Sequence, residues 1–302
     1  MHVHRQSVEV VVQTPAKLNL FFEVLAKRTD GYHEIETLMC PIDLFDTLYF
    51  REESGGRIDF QCRMGSVASG SSQSGFDEVP LGPDNLAVRA VELLRRRTGV
   101  SRAARLRLVK RIPAAAGLGG GSSDAAAALV AANLGWRLGL TRPELARLAA
   151  ELGSDVPFFL ASGPAVCRGR GECVEPVSGL GALSFVVVRP PDGLSTAAVY
   201  GACRPAEQPR SAGPLLEALR RGRRREAGRL LFNRLQPAAE GLSPRIAGLC
   251  RTLAAEDCLG HGMSGSGTAC FGLFHHAAQA RRVARRFRAM GLGTAVAVRS
   301  CC

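Results

Sequence analysis

Pro113-Ala114-Ala115-Ala116 runs into Gly117-Leu118-Gly119-Gly120-Gly121-Ser122-Ser123-Asp124, and this stretch restricts what the chain can fold into more than any other. It follows an alternating, strand-like run at 106–112 and precedes an Ala/Leu-rich, helix-like run at 124–138. Four glycines in five positions cost too much backbone entropy to be tolerated unless the backbone must go where a Cβ cannot. A glycine loop at a helix start presents free N–H groups and the positive end of the helix dipole to one point, so residues 113–123 read as a phosphate cradle. It is not a Walker A loop, because no Gly-Lys-Ser/Thr closes it. Nor is it a dinucleotide fingerprint: a second helix follows, announced by the capping box of Thr141 and Glu144 and closed by Gly153, where a Rossmann unit would place a strand.

The rest of the chain predicts an α+β order. Residues 8–12 and 18–25 read as a strand pair bent at Thr14-Pro15-Ala16, with short strands at 44–50 and 57–62 after the turn at Asp30-Gly31. Residues 64–76 are Gly/Ser-rich and read as a surface loop, and Asp84-Asn85 opens a helix over 86–97 that Gly99 ends. Later come a strand at 185–188, helices at 215–232 and 244–255, a strand at 268–274, a helix at 276–290 and a last strand at 294–299. At 302 residues the chain has room for two packed domains.

The formal net charge is +12, and all but three of the 39 basic residues are arginine. That sign suits a nucleic acid, an anionic membrane or a phosphorylated small molecule. The clusters at 95–97, 220–225 and 281–288 fall in helix-like segments without interleaved aromatics, which favours solvated faces over a single-strand stacking platform. No run reaches the ~18 apolar residues of a membrane helix and residues 1–14 lack the apolar core of a signal peptide, so the expected setting is the cytoplasm. The ten cysteines, with no C-x-x-C, then read as thiols rather than as a disulfide framework, and the six histidines show no zinc spacing.

Gly262-Met263-Ser264-Gly265-Ser266-Gly267 is a second glycine loop. It is not a nucleophile elbow, because Ser266 stands where G-x-S-x-G requires glycine. Two such loops suit one polyphosphate. Phosphoryl transfer also needs a carboxylate to orient or deprotonate the attacking hydroxyl and a cation for the transition state. Asp155, in Gly153-Ser154-Asp155-Val156-Pro157, and Lys17, in the otherwise apolar stretch 15–22, are the candidates. Taken alone, the first would read as a helix cap and the second as a snorkelling edge residue.

Three separated segments, Pro15-Ala16-Lys17-Leu18-Asn19-Leu20, 113–124 and 262–267, resemble the three motifs of the GHMP kinase superfamily. Within it, Thr29-Asp30-Gly31-Tyr32-His33-Glu34 and Leu152-Gly153-Ser154-Asp155-Val156-Pro157 are similar to the branch that phosphorylates the 2-hydroxyl of a cytidine diphosphate sugar alcohol in isoprenoid precursor synthesis. The resemblance spans 8–274. It implies an α+β, two-domain GHMP kinase fold: an ATP-binding N-terminal domain over 1–165, like the second domain of ribosomal protein S5, and a ferredoxin-like C-terminal domain over 166–302 whose last strand can return to the first. ATP is then the co-substrate, lying on 113–123, with Mg2+ whose ligands the motifs do not name. Lys17 and Asp155 become the catalytic pair, Asn19 lies near the reacting end of the substrate, and Tyr32 and His33 form the cytidine pocket with Thr196 and Tyr200. The second loop adds Gly262, Ser264, Gly265 and Gly267. Ala114-Ala115-Ala116 stand where more glycine is common, at little cost unless φ is positive there. No nucleic-acid or membrane partner follows. Two alternatives stay open: a homoserine- or mevalonate-type kinase, against which Tyr32-His33 speaks, and a nucleic-acid-binding protein using an S5-like domain.

Overall fold

A computed structural model of the chain describes residues 1–65 and 79–301. In order, the chain forms β1 (His2–Arg5), β2 (Val10–Lys27), β3 (His33–Glu53), β4 (Ile58–Met64), α1 (Leu86–Thr98), β5 (Ala103–Lys110), α2 (Gly120–Gly135), α3 (Arg142–Leu152), α4 (Val156–Leu160), β6 (Ala165–Gly169) and β7 (Cys173–Pro176). It continues with β8 (Ser184–Arg189), α5 (Thr196–Ala202), α6 (Gly213–Arg220), α7 (Arg224–Leu230), β9 (Phe232–Asn233), α8 (Gln236–Leu242), α9 (Pro244–Ala254), β10 (Gly260–Met263), β11 (Cys270–Phe274), α10 (Ala277–Ala289) and β12 (Thr294–Arg299).

The strand pair expected around Pro15 is one strand. Proline cannot donate to a ladder, and β2 accommodates it with a register shift against β3 at Pro15/Ala16, repeated at Asn19/Phe21. β3 begins at His33 rather than at 44, because its first half is buried on both faces and lacks the alternation of a half-exposed strand. The helix expected over 215–232 is two helices, broken at Gly222 with φ +66, then the two-residue β9. Asn85 caps α1 by accepting from Ala87 N, and Thr141 and Glu144 form the capping box of α3. Gly153, with φ 171, ends α3 in extended backbone rather than a left-handed turn. Met64 closes β4, and most of the expected 64–76 loop lies outside the described residues.

The first sheet has the order β1-β2-β3-β5-β4, with β6 on β3, β7 on β6 and β9 on β2. Position 165/166 therefore falls inside a strand of this sheet. The second sheet, β10-β11-β8-β12, is antiparallel throughout. β12 stays in it, while the tail beyond reaches β3: Cys301 N donates to Pro41 O at 2.8 Å.

Side chains alternate along a strand, and β8 is buried on both faces. Phe185 and Val187 meet Leu18, Leu20 and Leu38 between the two sheets, whereas Val186 and Val188 meet Leu253 and Phe287 of α9 and α10. Leu94, Leu129 and Trp136 of the first-sheet helices pack on Phe50 and Leu106. Each such side chain contributes roughly 1.5–3 kcal/mol on burial, so the layer between the sheets fixes how the two halves face each other across the cleft. No helix among the described residues is long and apolar enough to cross a membrane.

Candidate active site

α2 begins at Gly120, and Gly119 caps it in the left-handed region (φ +70). Gly119, Gly120, Gly121 and Ser122 line a cavity of about 1080 Å³, together with Pro113, Ala114, Ala115, Ala116, Gly117, Gly265 and Gly267. Gly117 shows why glycine is required: its φ is +73, and a Cβ would stand 2.0 Å from Ser264 O. The three motif segments are one hydrogen-bonded unit. Lys17 N donates to Leu118 O (3.0 Å), Ala269 N to Ala116 O (3.0 Å) and Ser264 Oγ to Gly117 O (2.9 Å). Asn233, which no sequence motif marks, pins the second loop by donating to Met263 O and Gly265 O at 2.8 Å each.

Three loop residues turn away from the cavity. Leu118 is in the core, Ser123 Oγ donates to Pro15 O at 2.6 Å, and Gly262 is a β10 residue opposite Phe271. Ser264 is also buried, holding the two loops together rather than forming the wall.

Lys17 is 3% exposed, so it is not the edge residue its isolated sequence context suggests. Its Nζ lies 2.5 Å from Asn19 Oδ1 and 3.4 Å from Asp155 Oδ2. Asn19 is fixed in turn, donating to Thr37 Oγ1 at 2.8 Å, and it stands behind Lys17 rather than on the cavity wall. Asp155 occupies the N-cap position of α4, yet its side chain caps nothing and faces Lys17 and the cavity. The carboxylate–ammonium contact thus sits where the glycine cradle meets the rest of the cavity.

The opposite end is aromatic. The His33 and Tyr200 rings lie 5.0 Å apart at 32°, with Phe22 edge-on to Tyr200 at 6.5 Å. Tyr32 is 52% exposed, with the Arg170 guanidinium 4.8 Å from its ring centre. Thr196 and Tyr200 are four residues apart on α5, hence on one face, and Thr196 Oγ1 lies 2.9 Å from Ser266 Oγ of the second loop. Burial, with Lys27 adding, holds the His33 imidazole below its usual pKa, so it is neutral at pH 7 and can both donate and accept. Burial pushes the Tyr200 hydroxyl up, and the Asp155 charge adds to this. Arg170, on the turn between β6 and β7, carried no sequence signal because that turn is placed by pairing with β3.

Beneath the cradle Lys110 is buried between Asp46 and Asp124, 2.8 Å from the latter. Asp46 also accepts from Arg111 N and Ile112 N. Burial pushes Asp124 up to about 8, against the pull of Lys110, and its Oδ1 is buried without a hydrogen-bond partner. Asp124 thus holds a proton far more readily than an ordinary aspartate. The arginine clusters face carboxylates: Arg97 pairs with Glu151, Arg221 with Glu217 and Arg223 with Glu226.

The family model of the GHMP kinases N terminal domain matches residues 85–163, and that of the GHMP kinases C terminal domain matches 215–292. A 4-diphosphocytidyl-2-C-methyl-D-erythritol kinase of Pelotomaculum thermopropionicum is 44% identical over 275 residues, covering 90% of this chain and 92% of the relative. The chain belongs to the 4-diphosphocytidyl-2-C-methyl-D-erythritol kinase family. A crystal structure of 4-(cytidine 5'-diphospho)-2C-methyl-D-erythritol kinase matches this kinase with a TM-score of 0.80 and 37% identity over 97% of this chain and 99% of that one. The homoserine kinase of Cytophaga hutchinsonii, at 18% identity and a TM-score of 0.73, shares the fold alone. The α+β GHMP kinase fold expected from the sequence is therefore the fold of this kinase, and ATP is its co-substrate.

Proposed function

We propose that this kinase moves the γ-phosphoryl group of ATP to the 2-hydroxyl of 4-diphosphocytidyl-2-C-methyl-D-erythritol, in isoprenoid precursor synthesis in the cytoplasm. The observation that carries this reading is the single cavity with the glycine cradle at one end, the Tyr32, His33 and Tyr200 wall at the other, and the Lys17–Asp155 contact between them. The triphosphate lies along 113–122, against the start of α2. Cytosine stacks on the aromatic wall, and neutral His33 reads its polar edge. The sugar alcohol then reaches Asp155, which takes the hydroxyl proton as the oxygen bonds to phosphorus and the bond to ADP breaks. Lys17 holds the Asp155 carboxylate by their 3.4 Å contact and offsets charge on the transferring group, with Asn19 fixing the ammonium.

No cluster of three His, Cys, Asp or Glu side chains able to hold a metal occurs among the described residues. Mg2+ carried on the triphosphate would neutralise phosphate charge. Asp124, whose unpartnered Oδ1 lies beside the cradle and which would give up its proton to the cation, and the Ser122 hydroxyl are the protein groups that would hold it.

ADP release, measured with the cytidine substrate, homoserine and mevalonate in parallel, tests the assignment. Turnover with the cytidine compound alone is expected, and turnover of homoserine or mevalonate without it sinks the reading.

A further inference from the structure

The reaction leaves unused a thiol pair directly behind the second glycine loop. Cys250 on α9 and Cys270 on β11 are 5% and 0% exposed, and their Sγ atoms are 3.7 Å apart. His261 of β10 belongs to the same cluster, and its Nδ1 is buried without a hydrogen-bond partner. Both cysteines adjoin groups that support the nucleotide loops. Gln236 donates to Cys250 Sγ (3.5 Å) and accepts from Met263 N (3.0 Å), the residue before Ser264. Ala269, next to Cys270, donates to Ala116 O (3.0 Å) and accepts from Ser264 N (2.9 Å).

We propose that Cys250 and Cys270 are a disulfide-forming site: a hydroperoxide joins them, and the bond displaces the second glycine loop and weakens ATP binding. The Cys270 thiol beside it holds Cys250 down at about 6, with His261 assisting, while Cys250 and burial push Cys270 up. Cys250 Sγ also accepts from Gln236 while Cys270 Sγ donates to Thr268 O at 3.8 Å, so Cys250 is the attacking thiolate and Cys270 the resolving thiol. Gln236, Glu240 and His261 beside the pair are only half-buried, which leaves a path for a molecule as small as hydrogen peroxide. The Cys250 thiolate attacks one peroxide oxygen; the O–O bond breaks, an S–O bond forms, and the hydroxide that leaves takes up a proton as water. Cys270 then attacks the sulfenic sulfur, breaking S–O, and its proton combines with the departing hydroxide as a second water. Two thiols are oxidised to one disulfide and one peroxide is reduced to two waters.

A disulfide requires about 2.05 Å between the sulfurs, so oxidation must close the gap by roughly 1.6 Å. The closure pulls on the start of β11 and on Gln236, the two supports of the loop that interlocks with Gly117. Displacements of about 1 Å in such machinery cost on the order of 100-fold.

The test treats the full-length kinase with hydrogen peroxide, blocks remaining thiols, and reads both a non-reducing peptide map and equilibrium ATP binding. We expect one peptide pair joined through Cys250 and Cys270, ATP affinity lowered at least ~10-fold, and both changes reversed by dithiothreitol. Cys250→Ala and, separately, Cys270→Ser should bind ATP normally beforehand and lose less than ~2-fold afterwards, so that poor folding of one variant leaves the other to decide. Cys173→Ser, at an exposed site, should respond like the wild type. Loss of binding while Cys250 and Cys270 remain separately blocked, linkage without loss of binding, or equal losses in both single variants would each overturn the proposal.

Discussion

At the cradle end of the cleft the polar groups are buried and tied to one another, whereas at the aromatic end they stand in or near solvent. Lys17 is 3% exposed and touches Asn19 and Asp155, and Asn19 N in turn donates to Ser264 Oγ at 3.2 Å. Tyr32 is 52% exposed and rests on one guanidinium, and α5, which carries Thr196 and Tyr200, is seven residues long. The first arrangement is preorganised, holding charges where a transition state needs them without rearrangement. The second is completed by its ligand. Substitutions at the cradle should therefore alter rate and fold together, and substitutions at the aromatic wall should alter substrate affinity alone.

The sharpest way to break this contrast is the charged pair. Asp155→Asn and Lys17→Ala should each lower kcat by at least ~100-fold, with the double variant little worse than the poorer single one, because the two groups act as a unit. Multiplicative losses would separate the residues and leave their 3.4 Å contact incidental.

Next come the loop glycines, which distinguish packing from ligand approach. Gly117→Ala combines positive φ with a Cβ driven into Ser264 O, and should destabilise the protein by roughly 1–3 kcal/mol while abolishing ATP binding. Gly121→Ala places its Cβ 3.5 Å from Leu86 Cδ1, an ordinary contact, on the exposed side of the helix start. Its stability should be unchanged or higher by up to ~1 kcal/mol, and only the KM for ATP should rise, by roughly 10-fold. Equal melting losses in the two variants would show that the loop is structural throughout. Gly119, by contrast, is a poor probe of phosphate approach, because a Cβ there meets Phe159 and Lys17 first.

These positions also show what was legible in the sequence. Gly117, Gly119, Gly265 and Gly267 all have positive φ, so the glycines that marked the loops are ones the backbone demands. Asp155 and Lys17 could be paired only through the resemblance, since they come from distant parts of the chain, the start of α4 and the middle of β2, and no local spacing encodes their contact. Lys110, Asp46 and Asp124 escaped notice because single charges in strand and helix patterns read as surface residues, and only burial reveals them as a trio. Asn233 and Arg170 lie in elements of two residues and in a turn, too short for any periodicity. β2 and β3 were read as fragments because double-sided burial erases alternation.

At the aromatic end, His33→Ala should lower kcat/KM for the cytidine substrate by roughly 1–3 kcal/mol while ATP binding and melting temperature hold. The pH dependence adds a second check. The His33 pKa lies below 6.5, so the ring is neutral at pH 7 and charges only as pH falls beneath that value. Charging removes its acceptor, so wild-type kcat/KM for the cytidine substrate should fall on acidification below 6.5, and His33→Ala should lack that limb. Because the unfolded state takes the proton more readily, this group's contribution to stability falls in the same direction. A shared acid limb in the two proteins would assign it elsewhere.

The smallest expected effect concerns Ala115, which lies in the cradle yet behaves like the solvent-facing end. It is exposed, lines the cavity and has φ +49, one of two described non-glycine residues with positive φ. A Cβ in the left-handed region costs about 1–2 kcal/mol. Glycine at 115 would remove that strain but enlarge the conformational freedom of the unfolded chain, a loss of about 0.4–1 kcal/mol. The two terms leave a net stabilisation between zero and about 1.6 kcal/mol for Ala115→Gly, read as a small rise in melting temperature, with the KM for ATP within ~2-fold of wild type. The sign is diagnostic. A fall in stability would mean that the methyl group packs against something the loop needs, and Ala115 would then join Gly117 among the interlocked positions. A gain with much weaker ATP binding would mean instead that the strained alanine holds the loop open for the nucleotide, which places the division between rigid and ligand-completed parts inside the cradle itself.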